Sequence, residues 1–590
     1  MLQRNGQLLY KRFAEYFIPT VLMAVALSMS IVVDGIIVGN MLGPEALAAV
    51  NLGSPVITVY SVAFCLFGVG GSILVAFYKG KRDHAAADAV FTAACVCLIA
   101  TSLVFTVAGL AFREELASLL SGNNATLRDL VLRFITPLLY GCSLLVIIPG
   151  MVYFIRTDGR PRLAALALII ANVVNLCCDV AFIAVSGDIQ AAAIATVTGY
   201  AFGGCLLFVY ALSKRRTLHL TWPRSILSLT GSVVKAGLPS GLSMLFTFVK
   251  IFCINRLVLS LAGEGGMIAF SVCISCWSLA SMFISGASQT MMPMIGVLYG
   301  EGDFKGVRFV FKRALTVLMK ATLLLVLLLE LFPDSILRFF GVDGADHLAM
   351  GVEAIRLFAL SLTGMAFTFL MLYYTQTIRR QNMAMAITAI EGVAVVAPMA
   401  WLLSRCMGLA GVWLAFSVAE AAAVGAIFLM ARHVRNASGG TFKGLLMLPE
   451  PAGSAALLDV TIRNLVEEAV TLSEAVTRFC RENGLDTVTA TRLGLAVEEM
   501  AVNIARHGGG RPGKNYIDIS VVIKDDEARV SLRDDGKPFN PAGYVENDEN
   551  AEAPSGISLV RKIAERLEYA YTLGFNTTNV VIKAQAGERG

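Results

Sequence analysis

Two sets of residues in this chain have types and spacings that suit chemistry. The first lies in apolar sequence. Asp34 sits well inside the first apolar run, and Asn172, Asn175 and Asp179 follow one another at i, i+3 and i+7 in a later one. That spacing puts all three on one helical face. A carboxylate inside a bilayer costs at least a few kcal/mol, so this face cannot point at lipid. It either forms a satisfied hydrogen-bond network with another helix or lines a cavity. In the second case Asp34 and Asp179 would titrate or bind sodium, with the Asn carbonyls completing an oxygen shell.

The second set lies near the end of the chain. Glu499 and Asn503 are i and i+4 and project from one helical face. Asp534 stands two residues before Gly536, and Gly556 opens a further helix. Nucleotide binding suits this arrangement. An Asn on a helix can ligate Mg²⁺ between phosphates, and a neighbouring Glu can orient or deprotonate a nucleophile. An Asp before a Gly turn can accept from an adenine amino group. A glycine at a helix N-terminus lets phosphate approach backbone N–H groups. This part of the chain has no GxxxxGK[ST] motif, which excludes a Walker site.

The elements that must carry these residues divide the chain. Apolar residues make up 56% of it and charged ones 15%, too greasy for an ordinary soluble protein. The last 135 residues hold 37 charges and the first 455 only 54, with net charges of −5 and +10 respectively. A membrane region followed by one soluble domain is expected. Runs long enough to cross a ~30 Å hydrocarbon core as helix fall near 14–38, 46–78, 88–112, 130–155, 163–185 and 190–213. A second set falls near 234–261, 267–299, 310–332, 350–378, 383–404 and 409–431. That makes twelve spans. Lys and Arg gather at the N-terminus (Arg4, Lys11, Arg12) and in alternate loops, which include Lys79, Arg156, Arg160 and Arg162. Both ends are therefore expected in the cytoplasm. The twelve cysteines, eleven of them in or beside apolar runs, read as small buried hydrophobes. Cys273 and Cys276 form a CxxC with no second pair and read the same way.

The membrane region repeats at an offset of 220. Pro19 pairs with Pro239, Gly80 with Gly300, Asp83 with Asp303 and Phe91 with Phe311. Six spans per copy make the repeat parallel, and two such bundles around a midplane cavity suit alternating access. The expected organisation is a first six-helix bundle over 1–225, a second over 226–435, a linker over 436–455 and a cytoplasmic domain over 456–590. In that last domain the pattern predicts a strand near Leu457–Ile462 and a helix ending at Gly484. A second helix starts near Asp486. A hairpin over Tyr516–Ile523 and Ala528–Arg533 turns at 524–527, and a last strand covers about Asn579–Lys583.

Two family resemblances follow. The stretch from Ile18-Pro19 through Val33-Asp34-Gly35 to Leu42-Gly43-Pro44-Glu45, together with Gly80-Lys81-Arg82-Asp83 and Ala191 to Thr196, resembles the multidrug and toxic compound extrusion (MATE) family. The resemblance implies a cation site in the first bundle made by Asp34, Asn175 and Asp179, with Thr196 as a further polar position. Another branch of that family uses acids in helices seven and ten. This chain has Lys250 in the seventh span, and no acid is expected in the core of the tenth. Lys250 could repel or replace a cation there, or pair with Glu391 or Glu420.

The order of motifs in the last domain resembles the GHKL ATPase fold, an α/β sandwich, and within it the anti-sigma-factor serine kinases. That resemblance implies Glu499 as catalytic base, Asn503 as Mg²⁺ ligand, Asp534 as adenine reader with Gly536 as its turn, and Gly556 on the phosphate side. Thr577 or Thr578 would supply a contact from the final strand. Ala553-Pro554-Ser555 stand where those kinases carry glycines, and Pro lacks an N–H. The resemblance therefore implies ATP binding without implying turnover.

The function expected is a plasma-membrane antiporter coupled to Na⁺ or H⁺, exporting organic, drug-like solutes, with ATP and Mg²⁺ bound by a regulatory domain. The alternative is a membrane-anchored serine kinase or anti-sigma-like protein that uses the helices as receptor and binds an anti-anti-sigma-like partner. An ATP-driven pump is disfavoured because one such domain lacks paired Walker sites. Lipid is an expected partner; nucleic acid is not.

Overall fold

The computed structural model describes residues 3–122, 125–213, 216–223, 225–340, 342, 345–449, 456–509, 512–524, 527–543 and 555–583. The hairpin turn at 525–526, the end of the expected linker at 450–455 and the loop with Ala553 and Pro554 lie outside these residues.

The chain forms two compact units. The larger, Phe13–Gly440 with Gly444–Met447, is helical. Its helices are α1 (Gln7–Leu42, which begins in the other unit), α2 (Pro44–Gly80), α3 (His84–Ala111), α4 (Ala125–Tyr140), α5 (Cys142–Thr157), α6 (Pro161–Ser186) and α7 (Gln190–Leu212). The second half contributes α8 (Ile226–Gly263), α9 (Ala269–Glu301), α10 (Phe304–Leu331), α11 (Ala345–Thr377), α12 (Gln381–Met407) and α13 (Leu409–Ala437). Among the described residues ten helices are long and apolar enough to cross a membrane. The pair α4 and α5 makes an eleventh, and the 36-residue α1 occupies the first expected run.

The expected single span at 130–155 is broken, because α4 and α5 meet at 55° around Gly141. Pro137 lies four residues before the bend and has no N–H to give the helix. Outward-facing apolar side chains such as Val104 and Val107 on α3, or Leu323 and Leu327 on α10, are exposed. A bilayer is the solvent that makes this favourable.

The repeat has a structural meaning at its most conspicuous positions. Asp83 accepts from the Ala86 backbone N–H at 2.9 Å, and Asp303 accepts from Gly306 at 2.8 Å. Both are N-caps, of α3 and α10, which explains why Asp recurs just before the third helix of each half. The repeat mates Gly80 and Gly300 touch one another. A Cβ on Gly80 would come within 2.9 Å of the Gly300 Cα, and one on Gly300 within 3.0 Å of the Gly80 Cα. Only glycine lets the two backbones approach so closely.

The smaller unit comprises Met1–Arg12, Thr441–Lys443 and Leu448–Gly590. A two-stranded ribbon, β1 (Phe442–Lys443) with β2 (Leu448–Pro449), precedes the main sheet. That sheet contains β3 (Ala456–Arg463), β4 (Tyr516–Lys524), β5 (Glu527–Asp534), β6 (Arg566–Thr572) and β7 (Phe575–Lys583). It is fully antiparallel in the order β3-β4-β5-β7-β6. The helices α14 (Val466–Glu482), α15 (Thr487–His507) and α16 (Ser555–Ile563) accompany it. Leu472, Val476, Leu493, Val497 and Met500 recur at helical spacing and pack on Ile519, Val521, Val530, Leu532 and Val580, which alternate along the strands. Burying each such side chain contributes about 1.5–3 kcal/mol. The strand β6 carries no motif and is absent from the sequence expectations.

Candidate functional site

In the first half, Asp34 on α1 neighbours Asp179 on α6. Asn175, one turn before Asp179, donates Nδ2 to Asp179 Oδ2 at 2.8 Å. Asp179 is 1% exposed. One oxygen on each acid, Oδ1 of Asp34 and Oδ1 of Asp179, is buried without a hydrogen-bond partner. Bare buried carboxylate oxygens are costly, and such oxygens are ligands for a small cation. Tyr200 on α7 is in the neighbourhood of Asp34, which no sequence spacing signals. Asn172 and Thr196 are half-buried and turned back on their own helices, Asn172 to the Leu168 carbonyl at 2.8 Å and Thr196 to that of Ala192 at 3.1 Å. The acids and Asn175 are thus brought together, and Asn172 and Thr196 bond elsewhere.

In the second half Glu391, on α12 in the eleventh expected run, is buried. A π-helical turn over Ile390–Ala394 carries it, and such bulges interrupt the regular helical ladder. Lys250 on α8 donates to the Glu391 carbonyl at 3.4 Å, and its ammonium lies 4.9 Å from the Trp277 ring centroid. Glu420 on α13 accepts from Thr368 Oγ1 at 2.8 Å. Lys250 interacts electrostatically with both acids.

In the smaller unit, α15 presents Glu499 and Asn503, both half-buried. The Glu499 carboxylate lies against Gly556 at the start of α16, where any Cβ would collide with it. Asn503 Nδ2 is buried with no partner. Asp534 ends β5 and is held by two donors on one oxygen. Gly536 N–H reaches Oδ1 at 2.7 Å, and Asn576 Nδ2 reaches the same atom at 2.9 Å. Neither bond uses Oδ2. Burial pushes the Asp534 carboxyl up to about 6, against the opposing pull of those two donors.

The register settles which side of the sheet each threonine of β7 faces. Asp534 pairs with Asn576 and Leu532 with Thr578. Thr578 therefore shares the face of Asp534 and Asn576, while Thr577 faces the other way. Asn576 also accepts from Tyr569 Oη at 2.7 Å. It is a site residue that sequence reasoning missed, because only the strand pairing brings it to Asp534. A buried, unpartnered Asn503 amide and the space left beside Glu499 by Gly556 suit a magnesium–nucleotide complex. Asn503 would hold the metal, Asp534 the base, and Gly556 the phosphates.

The first twelve residues belong to this same unit. Arg4 Nε reaches Asp518 Oδ2 at 3.1 Å, and its backbone N–H donates to the Asp459 carbonyl at 3.0 Å. Asn5 N–H donates to Thr461 Oγ1 at 3.1 Å. Lys11 pairs with Asp535 at 2.5 Å, one residue from Asp534. Arg12 donates to the Gly574 carbonyl and lies over the Phe575 ring. Basic residues that the sequence offers as orientation signals are thus also docking residues. Arg156 departs further, since it is buried in the last turn of α5 rather than placed in a loop.

Comparisons with known proteins agree with both halves of this description. A family model, MatE, matches residues 19–181 and 239–402, and a second, histidine kinase-like ATPase domain, matches 462–582. The multidrug export protein MepA of Staphylococcus haemolyticus is 22% identical over 453 residues, covering 73% of this chain and 97% of its own. A solved outward-facing multidrug resistance MATE family transporter of the MOP superfamily superposes with a TM-score of 0.69 at 23% identity, over 75% of this chain and all of its own. A MATE crystal structure in the straight conformation gives 0.68 at 22%, with the same two coverages. The two MatE matches start 220 residues apart, the offset of the internal repeat, and together cover more than half the sequence. The chain belongs to the MATE family of membrane transporters and carries a histidine kinase-like ATPase domain after its transporter helices.

Proposed function

We propose that this protein is an antiporter coupled to Na⁺ or H⁺ that exports organic, drug-like solutes across the cell membrane, and that its ATP-binding domain regulates the transport. The observation that carries the reading is the Asp34–Asp179 pair, two acids from separate helices with one bare oxygen each. Such a pair can exchange a proton, or take a metal cation into the oxygens left open by Asn175. Opening the bundles alternately to either side would then trade that cation for cargo. The similarity to MepA supports a drug-like cargo.

Regulation is the role that suits the ATP-binding domain. Its geometry offers Glu499 as the base and Asn503 as the metal ligand; Mg²⁺, when bound, would neutralise phosphate charge. Nothing in it resembles the paired motors of a pump. Residues 4–12 dock on the ATP-binding domain, with Lys11 against Asp535. Their membership of one unit with that domain supports a shared cytoplasmic side, where ATP is available.

The test is transport by proteoliposomes under separate sodium and proton gradients, with and without MgATP on the side of the tail, and with Asn503→Ala as the nucleotide-free reference. Uphill efflux under one gradient, changed in rate by MgATP in the parent but not in the variant, is expected. Efflux that needs ATP without any ion gradient would overturn the coupling. Absence of any transport, with phosphoryl transfer to a serine of a partner, would favour the anchored kinase.

A further inference from the structure

Several buried cations among the described residues have anionic neighbours. Lys79 meets Asp158, Arg4 meets Asp518, and Lys250 lies among Glu391 and Glu420. Arg156 is 3% exposed, and among the described residues no carboxylate pairs with it. Its Nε is buried without any hydrogen-bond partner. Unlike a lysine, a guanidinium cannot relieve burial by losing its proton, so the charge stays and calls for a counter-anion.

The surroundings are aromatic and hydroxylic. The Arg156 guanidinium lies 5.0 Å from the centroid of the Tyr153 ring, and Tyr16 on α1 and Tyr373 on α11 are in its neighbourhood. Tyr373 Oη is held at 2.9 Å from Ser285 Oγ and accepts from Gln289 Nε2 at 3.0 Å, both on α9. Helices from both halves of the repeat therefore converge on one guanidinium. In alternating access a solute passes where the two bundles meet. A planar fork of N–H donors matches a carboxylate, and flanking rings match the flat apolar body of an amphipath. One guanidinium balances one negative charge, which favours a carboxylate over a phosphate dianion.

We propose that Arg156, with Tyr16, Tyr153 and Tyr373 around it, is the recognition site for a carboxylate on the exported solute, so that this transporter selects zwitterionic or anionic amphipaths over purely cationic ones. The proposal rests on the export reading above and specifies its cargo. In the conformation described here the group is sealed. It would open to cargo when the bundles part.

Rhodamine B, which carries a free carboxylate, and its ethyl ester share one fluorophore and differ by that charge. Anisotropy titrations on the full-length protein are expected to give about tenfold tighter binding of the acid than of the ester. Arg156→Gln should weaken the acid alone and erase the preference, and Arg156→Lys should keep part of it. Tyr373→Phe, a milder change, should reduce the preference a few fold and serves if Arg156→Gln fails to fold. Equal binding of the two dyes by the parent, or equal weakening of both by the variants, overturns the proposal. Efflux of the ester by parent proteoliposomes reports separately on export. Ester export without acid preference rejects only the carboxylate site, whereas failure to bind or move either dye rejects the cargo assignment and the export reading together.

Discussion

In the first bundle two carboxylates, Asp34 and Asp179, meet with no lysine or arginine paired to them among the described residues; in the second, Glu391 and Glu420 surround Lys250. Both arrangements lie deep in apolar helices, yet their electrostatic states differ. The first leaves two oxygens bare and so depends on a proton or cation from outside. The second holds its own cation, cushioned on Trp277 and Phe416. A bilayer protein can therefore treat the same costly ingredient in two ways. An acid left open is an exchange site, and an acid closed by a tethered ammonium is a fixed part of the packing.

The sharpest way to break this comparison is to remove the open acids. Asp34→Asn and Asp179→Asn should each reduce gradient-driven efflux in proteoliposomes to that of empty vesicles, while Glu391→Gln should retain it. Retained efflux in both Asp variants, or its loss in Glu391→Gln, would exchange the roles of the two bundles. The folded population, followed by size-exclusion profile, should be unchanged in the Asp variants because each removes a charge that has no fixed partner.

Lys250 gives the converse. Replacing it by Met leaves two acids buried around an apolar side chain, and breaking such a pair costs about 3–5 kcal/mol. Lys250→Met should therefore lower the thermal midpoint in detergent strongly, and Lys250→Met with Glu391→Gln should recover more than half of the loss. If the single variant is as stable as the parent, the second cluster is not closed by its lysine.

A further buried carboxylate, Asp534, lies outside the membrane and is satisfied in yet another way, by two N–H donors on one oxygen. Its carboxyl is raised to about 6 from the usual 3.8, mainly by burial. The folded state thus holds the proton more tightly than the unfolded chain. The resulting stability is fully present below about pH 4 and is lost as pH rises through about 6. Asp534→Asn keeps the oxygen that accepts both bonds and has no proton to lose. Relative to the parent, it should stabilise the nucleotide-free domain by on the order of 2–3 kcal/mol at pH 7 and by nothing at pH 4. ATP affinity in the parent should fall below about pH 6, because adenine needs an acceptor at Asp534. A difference between parent and variant that is independent of pH would show that this carboxyl does not titrate there.

How much of this was legible beforehand varies with the range of the contact. Helical periodicity correctly put Asn175 and Asp179 on one face, since that depends only on the 100° step. It could not tell that the Asn172 amide turns back to the Leu168 carbonyl, because a rotamer is decided by competition among nearby acceptors. Glu391 could be named as a partner for Lys250 but not placed, because a π-turn interrupts the regular helical pattern around it. Asp83 and Asp303 were visible as a repeat but not as caps until their N–H partners were known. Asn576 and the docking of residues 4–12 rest on contacts between distant parts of the chain. Choosing Thr578 over Thr577 as the neighbour of Asp534 needed the β5–β7 register, which alternation along one strand cannot supply.

The smallest effect tests whether the nucleotide domain acts on the open bundle. Lys11 and Asp34 both belong to α1. The Lys11–Asp535 pair is half exposed on the lysine side, which limits it to about 0.5 kcal/mol. Lys11→Ala should change ATP affinity of the full-length protein by only about twofold at low salt, and by less once salt screens the pair. Linkage then requires ATP to change the docking of residues 4–12 by the same factor. The matching readout is the sodium or proton concentration that half-saturates efflux, which MgATP should shift in the parent and shift less in Lys11→Ala. A shift of equal size in both would mean that the arm is a strap alone, and that the domain reaches the open acids by another route.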